Sequence, residues 1–70
     1  MILNEYTKNL LGNYPEDRAH ILAAIDAFCQ ANQCDTNKEI GFEERVKIFE
    51  AVKFLKRGYE NLIFQLRAAM

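Results

Sequence analysis

The sequence predicts an all-α fold: a small three-helix domain spanning residues 1–70, with a short N-terminal helix and a helical hairpin that ends in a long C-terminal helix. Three observations carry that expectation. Apolar residues recur at three- and four-residue intervals from Arg18 to Asn32 and again after Phe42. Polar, turn-prone stretches separate these runs at Gly12-Asn13 and Asn32–Asn37. The segment 42–70 is apolar on more faces than a small monomer can bury, which predicts a homodimer.

The first helix is expected over Ile2–Leu11, where Leu3, Tyr6 and Leu10 share helical spacing. Gly12-Asn13 supplies residues that tolerate the left-handed conformation at a helix end. The second helix is expected over 15–32. Pro15 suits the first helical position, and Glu16 and Asp17 complement the positive end of the helix dipole. Ile21, Leu22, Ile25, Phe28 and Cys29 then form an apolar stripe. Ala19, Ala23, Ala24, Ala27 and Ala31 occupy the rest of the surface and would admit a close second helix.

Thr36-Asn37-Lys38-Glu39 fits a capping box. Gly41 costs up to about 1 kcal/mol inside a helix, so a short turn over 36–40 is expected, with the long helix beginning near Phe42. A joint at Gly58 is the alternative to an unbroken helix. On a helical wheel, Ile48, Ala51, Val52, Leu55, Tyr59, Leu62, Leu66 and Met70 form one stripe, while Phe42, Val46, Phe49, Phe54, Ile63 and Phe64 lie off it. The hairpin should place Ile21, Leu22, Ile25 and Phe28 against Val52, Leu55, Tyr59 and Leu62, with the two helices antiparallel.

Composition narrows the function classes. A 70-residue chain buries only about 60% of its unfolded surface and gains from a staple or a partner. Half the residues are apolar, which argues against disorder. Net charge is −1, yet the distribution is uneven. Residues 1–35 carry Lys8 and Arg18 against Glu5, Glu16, Asp17, Asp26 and Asp35. Residues 36–70 carry seven Lys/Arg against Glu39, Glu43, Glu44, Glu50 and Glu60. Such asymmetry hints at a charged binding face. No stretch approaches the ~20 apolar residues that span a bilayer, and the N-terminus has no signal-peptide pattern, so a cytoplasmic protein without membrane partners is expected.

The principal candidate site is a basic arc on the long helix. Arg45, Lys56 and Arg67 recur every eleven residues and therefore align, Lys53 and Arg57 widen the arc, and Phe49 and Phe64 lie within it. Basic groups among aromatics can anchor in an acidic protein groove or bind phosphates and stack on bases. The plainer reading is a solvated flank whose long side chains cover apolar surface, supported by Glu43–Lys47 and Lys56–Glu60 at i,i+4.

Other chemistry is not expected. Cys29 and Cys34 with His20 fall short of the four ligands of a zinc site, and on a continuous helix the two sulfurs would point about 140° apart at ~100° per residue. Cys29 reads as a small core residue, and Cys34 as part of the loop. His20 has no serine or cysteine nucleophile at helical spacing, and Gly12, Gly41 and Gly58 are isolated, so there is no phosphate loop. No catalytic residue, metal or cofactor is expected, and the chain is not expected to be an enzyme.

Two function classes remain. One is a small protein-binding regulator or inhibitor that occludes a surface of a larger protein through the long helix. The other is a dimeric nucleic-acid-binding transcriptional regulator. Ile21–Phe28, Thr36–Ile40 and Val46–Leu55 resemble a winged helix-turn-helix layout, in which Lys56-Arg57-Gly58-Tyr59 closes the recognition helix and Leu62–Leu66 forms a wing strand. The resemblance covers about two-thirds of the chain. It departs from the pattern in its short interval before the recognition helix and in the lack of a second wing strand. The state of residues 60–67, helix or strand, discriminates the two classes.

Overall fold

A computed structural model of the chain describes the backbone of residues 1–69 and the side chains of residues 1–58. Three α-helices appear in order: α1 (Leu3–Asn13), α2 (Arg18–Asn32) and α3 (Phe42–Ala69). A single 3-10 turn, Pro15–Asp17, leads into α2. Thus α1 runs through Gly12 and Asn13 instead of ending before them, and the second helix starts three residues later than expected. Proline cannot donate an N–H, and here it opens the tighter turn; the Asp17 N–H is satisfied by the Tyr14 carbonyl at 3.0 Å.

Helix α1 has no side-chain N-cap. Its first free N–H groups are met instead by the loop between α2 and α3. Leu3 N–H donates to the Lys38 carbonyl at 2.8 Å, and Asn4 N–H donates to the Thr36 carbonyl at 2.9 Å. In return, Ile40 N–H donates to the Met1 carbonyl at 2.8 Å, and Ile2 and Glu39 form an isolated antiparallel bridge. The loop thereby straps the start of α1 to the start of α3.

That use of Thr36–Glu39 displaces the expected capping box. Asp35 organises the turn: its carboxylate accepts Asn37 N–H at 2.9 Å and its carbonyl accepts Lys38 N–H at 3.2 Å. The cap of α3 lies one step later. Gly41 C=O accepts the first helical bond from Arg45 N–H at 3.1 Å, and the Glu44 carboxylate reaches back to Gly41 N–H at 3.3 Å. This is the reciprocal half of a capping box, built on Gly41 and Glu44. The expected start of the long helix near Phe42 holds.

Helix α3 is unbroken at Gly58 and remains helical through 60–67. The wing strand of the winged layout is therefore absent, because Leu62–Leu66 is helical backbone. With 28 residues against 15 in α2, at ~1.5 Å per residue, α3 outruns its neighbour by roughly 20 Å.

The two helices are antiparallel: Asp17, at the start of α2, meets Lys56 well along α3, while the other end of α2 connects to the start of α3. Their shared core contains Ile21, Ala24, Ile25, Ile48 and Val52, joined by Leu3 and Leu10 from α1 and Ile40 from the loop. The expected facing set is only partly realised. Ile21, Ile25 and Val52 are buried and Phe28 packs at the edge, but Leu22 and Leu55 are exposed. Ala24 takes an inward position on α2, while Ile48 is buried on the expected α3 stripe. Leu55 shares that stripe but lies level with the start of α2, where Lys56 meets Asp17, and so has little of α2 to pack against. Tyr59 and Leu62 lie outside the described side chains. Ala19, Ala23, Ala27 and Ala31 face solvent, and no helix of the described residues covers them.

Candidate functional site

Helix α3 carries Phe42, Val46, Phe49 and Lys53 at spacings of four, three and four, so they line one flank. That flank lies away from the buried Ile48–Val52 line and beside α1. Tyr6 of α1 closes it: its hydroxyl donates to the Arg45 carbonyl at 3.1 Å. The shallow, open depression, about 370 Å³, is lined by Tyr6, Phe42, Arg45, Val46, Phe49, Glu50 and Lys53. A second depression of about 280 Å³ adjoins it; Phe49 and Lys53 form the shared wall, and Leu10, Tyr14 and Val52 belong to the far side.

The rim is mixed in charge, with Arg45 and Lys53 beside Glu50 at the first depression and Lys53 and Lys56 beside Glu16 and Asp17 at the second. Two of these cations lie close over aromatic rings. Lys53 Nζ is 4.7 Å from the Phe49 ring centroid, and the Arg45 guanidinium carbon is 5.9 Å from that of Phe42. Both distances fall within the range of cation–π attraction. Tyr14 and Phe49 pack at 5.9 Å with a tilt of 51°, a geometry aromatic pairs favour. Arg45 Nε is buried without a hydrogen-bond partner among the described residues. Burial, the largest cause, pushes the Tyr6 phenol above its ordinary value; the Arg45 cation opposes that shift and Tyr14 adds to it.

Arg45, Phe49, Lys53 and Lys56 are thus brought together along this flank. Lys56, however, is engaged: its Nζ lies 3.3 Å from the Asp17 carboxylate, whose side chain is only 11% exposed. It serves first as a clasp between α3 and the start of α2. Arg57 is exposed and lines neither depression. Phe64 and Arg67 lie outside the described side chains. The Glu43–Lys47 pair is not among the ion pairs of the described residues, where Lys38 and Glu44 approach at 4.0 Å instead.

Reading α3 by itself missed the contribution of α1. Tyr6 and Tyr14 complete the two depressions, and no periodicity within one helix reports which neighbour lies beside it. The off-stripe position of Phe42 and Val46 was the available signal. Among the described residues, no group of three or more His, Cys, Asp or Glu side chains is placed to hold a metal ion, and no helix is long and apolar enough to cross a membrane. The arrangement is suited to bury apolar side chains while presenting cations at the edge. No protein-family model, curated protein or solved structure matches this chain.

Proposed function

We propose that this chain is a small, non-catalytic protein-binding regulator or inhibitor, cytoplasmic in location, that occludes a surface of a larger protein through α3. The observation that carries the reading is the exposure of apolar groups on the α3 flank that lines the first depression: Phe42 is 72% exposed and Val46 38% exposed, although Ile48 and Val52 already fill the core. Exposed apolar side chains gathered beside a concave surface with charged groups at its rim are characteristic of interaction sites. The helical backbone of 60–67 supports this reading over the winged form of the nucleic-acid one, and leaves a wingless helix-turn-helix regulator as the remaining alternative.

The exposed part of α3 also supports self-association, and we propose that the free protein forms a homodimer through it. Size-exclusion chromatography with light scattering should give twice the chain mass; a monomer across micromolar concentrations would remove the dimer. The inhibitor reading is tested by affinity capture from native host extract, comparing the wild type with a Phe42→Ser/Val46→Ser/Lys53→Glu variant. A partner held by the wild type and lost by the variant, with unchanged helical circular dichroism, supports it. Equal capture by both eliminates this flank as the docking surface. Salt-sensitive binding to nucleic acid, abolished when Lys53, Lys56, Arg57 and Arg67 are neutralised together, would favour the other class instead.

A further inference from the structure

The end of α2 is built by a turn that brings two cysteines together. Gln33 occupies the left-handed region, with φ 50° and ψ 46°. Its N–H donates to the Gln30 carbonyl at 3.4 Å, and Cys34 N–H donates to the Cys29 carbonyl at 3.1 Å. These two bonds are the 5→2 and 6→1 pairs of a Schellman motif. In that motif the side chains at the two ends of the 6→1 bond commonly touch, and here both are cysteines. Continuous helix would have separated them, as the wheel predicts. The left-handed residue folds the chain back, and both side chains end half-buried. Burial first, and then interaction with the Cys34 side chain, push the Cys29 thiol up, in keeping with the approach of the two residues that the backbone bond already shows.

We propose that Cys29 and Cys34 form a two-electron dithiol/disulfide site at the C-terminal turn of α2, with small-molecule disulfides as its exchange partners. One cysteine, as thiolate, attacks a sulfur of the small disulfide, forming a mixed disulfide and releasing one small thiolate. The second cysteine, as thiolate, attacks the protein sulfur of that mixed disulfide. The Cys29–Cys34 bond forms and the second small thiolate leaves. The protein dithiol is oxidised by two electrons, the small disulfide is reduced to two thiols, and the two cysteine protons pass to the departing thiolates. The backbone bond between residues 34 and 29 holds the α-carbons close, as a disulfide requires. The product locks the junction between α2 and the loop that straps α1.

The test equilibrates the full chain in oxidised and reduced glutathione at several ratios, natively and in denaturing urea. Acid quench, alkylation with N-ethylmaleimide and intact-mass measurement then count free thiols. The folded chain should reach an intramolecular 29–34 bond with an equilibrium constant at least tenfold above that of the unfolded chain. By linkage, the oxidised chain should then unfold at higher urea than the reduced one. Cys29→Ser and Cys34→Ser should each stop at a glutathione mixed disulfide. A folded-state constant equal to or below the unfolded one overturns the proposal, because the turn would then contribute no pre-organisation. Glutathione adducts or interchain disulfides as the end products of the wild type also overturn it.

Discussion

Two faces of α3 carry similar apolar residues and meet opposite fates. One presents Ile48 and Val52, which are 1% and 7% exposed against α2. Another presents Phe54, larger than either, at 76% exposure. Composition alone would rank the phenylalanine as the better core residue. Angle decides instead: Ile48 and Val52 lie four residues apart on the line that meets Ile21 and Ile25, whereas Phe54 projects away from that line by more than a quarter turn. Hydrophobic content thus sets how much surface can be buried, and the position of the neighbouring helix sets which part is.

The sharpest way to break this comparison is Ile48→Ala. Removing a side chain with so little exposure from the centre of the core should cost about 2–5 kcal/mol, read as a lower urea midpoint and melting temperature. In a chain of this size that loss is a large part of the total stability. Lys56→Met should cost less, about 1–2 kcal/mol, because it strands the sheltered Asp17 carboxylate while the lysine itself is partly solvated; guanidinium and thermal unfolding would measure it.

Tyr6→Phe probes the boundary between the two faces and should cost about 1 kcal/mol at neutral pH through the lost bond to the Arg45 carbonyl. It also carries a pH signature. The folded phenol is raised above its unfolded value of 10.0, mainly by burial. Its contribution is therefore complete below pH 10 and is lost as pH rises through the folded value. The wild type should lose stability more steeply above pH 10 than Tyr6→Phe in alkaline denaturation series. The smallest effect is expected for Phe54→Ser, under about 0.5 kcal/mol in the monomeric unit. A larger loss that grows with protein concentration would show that Phe54 is covered by a second copy.

Much of the architecture was legible in local pattern. The three helices, the polar loop and the start of α3 near Phe42 follow from periodicity, from Pro15 and from the cost of Gly41 within a helix. What was not legible depends on contacts between distant segments. Thr36–Glu39 has the residues of a capping box, yet its backbone is recruited by Leu3 and Asn4, more than thirty positions away. Ala24 is buried and Leu22 is not because, at ~100° per residue, Ala24 lies about 60° from Ile21 around the helix and Leu22 about 100° on the other side. In the candidate site, the α3 side chains were readable from their angles, whereas Tyr6 and Tyr14 depend on where α1 lies. The loop position of Cys34 was legible too, but the fold-back of its backbone onto Cys29 depends on the left-handed Gln33, which a helical wheel does not describe.

The strap between residues 1–4 and 36–40 also bears on the order of assembly. The antiparallel pair α2–α3 is joined by a short connection and closes at small entropic cost. Helix α1 cannot complete its N-terminal bonding until the far end of that connection is in place. Chain closure over such a separation is slower than local hairpin formation. Folding is therefore expected to start with α2–α3 and to end with α1 docking. Hydrogen exchange would then find the α1 amides opening first, with Ile25 and Ile48 among the last to exchange.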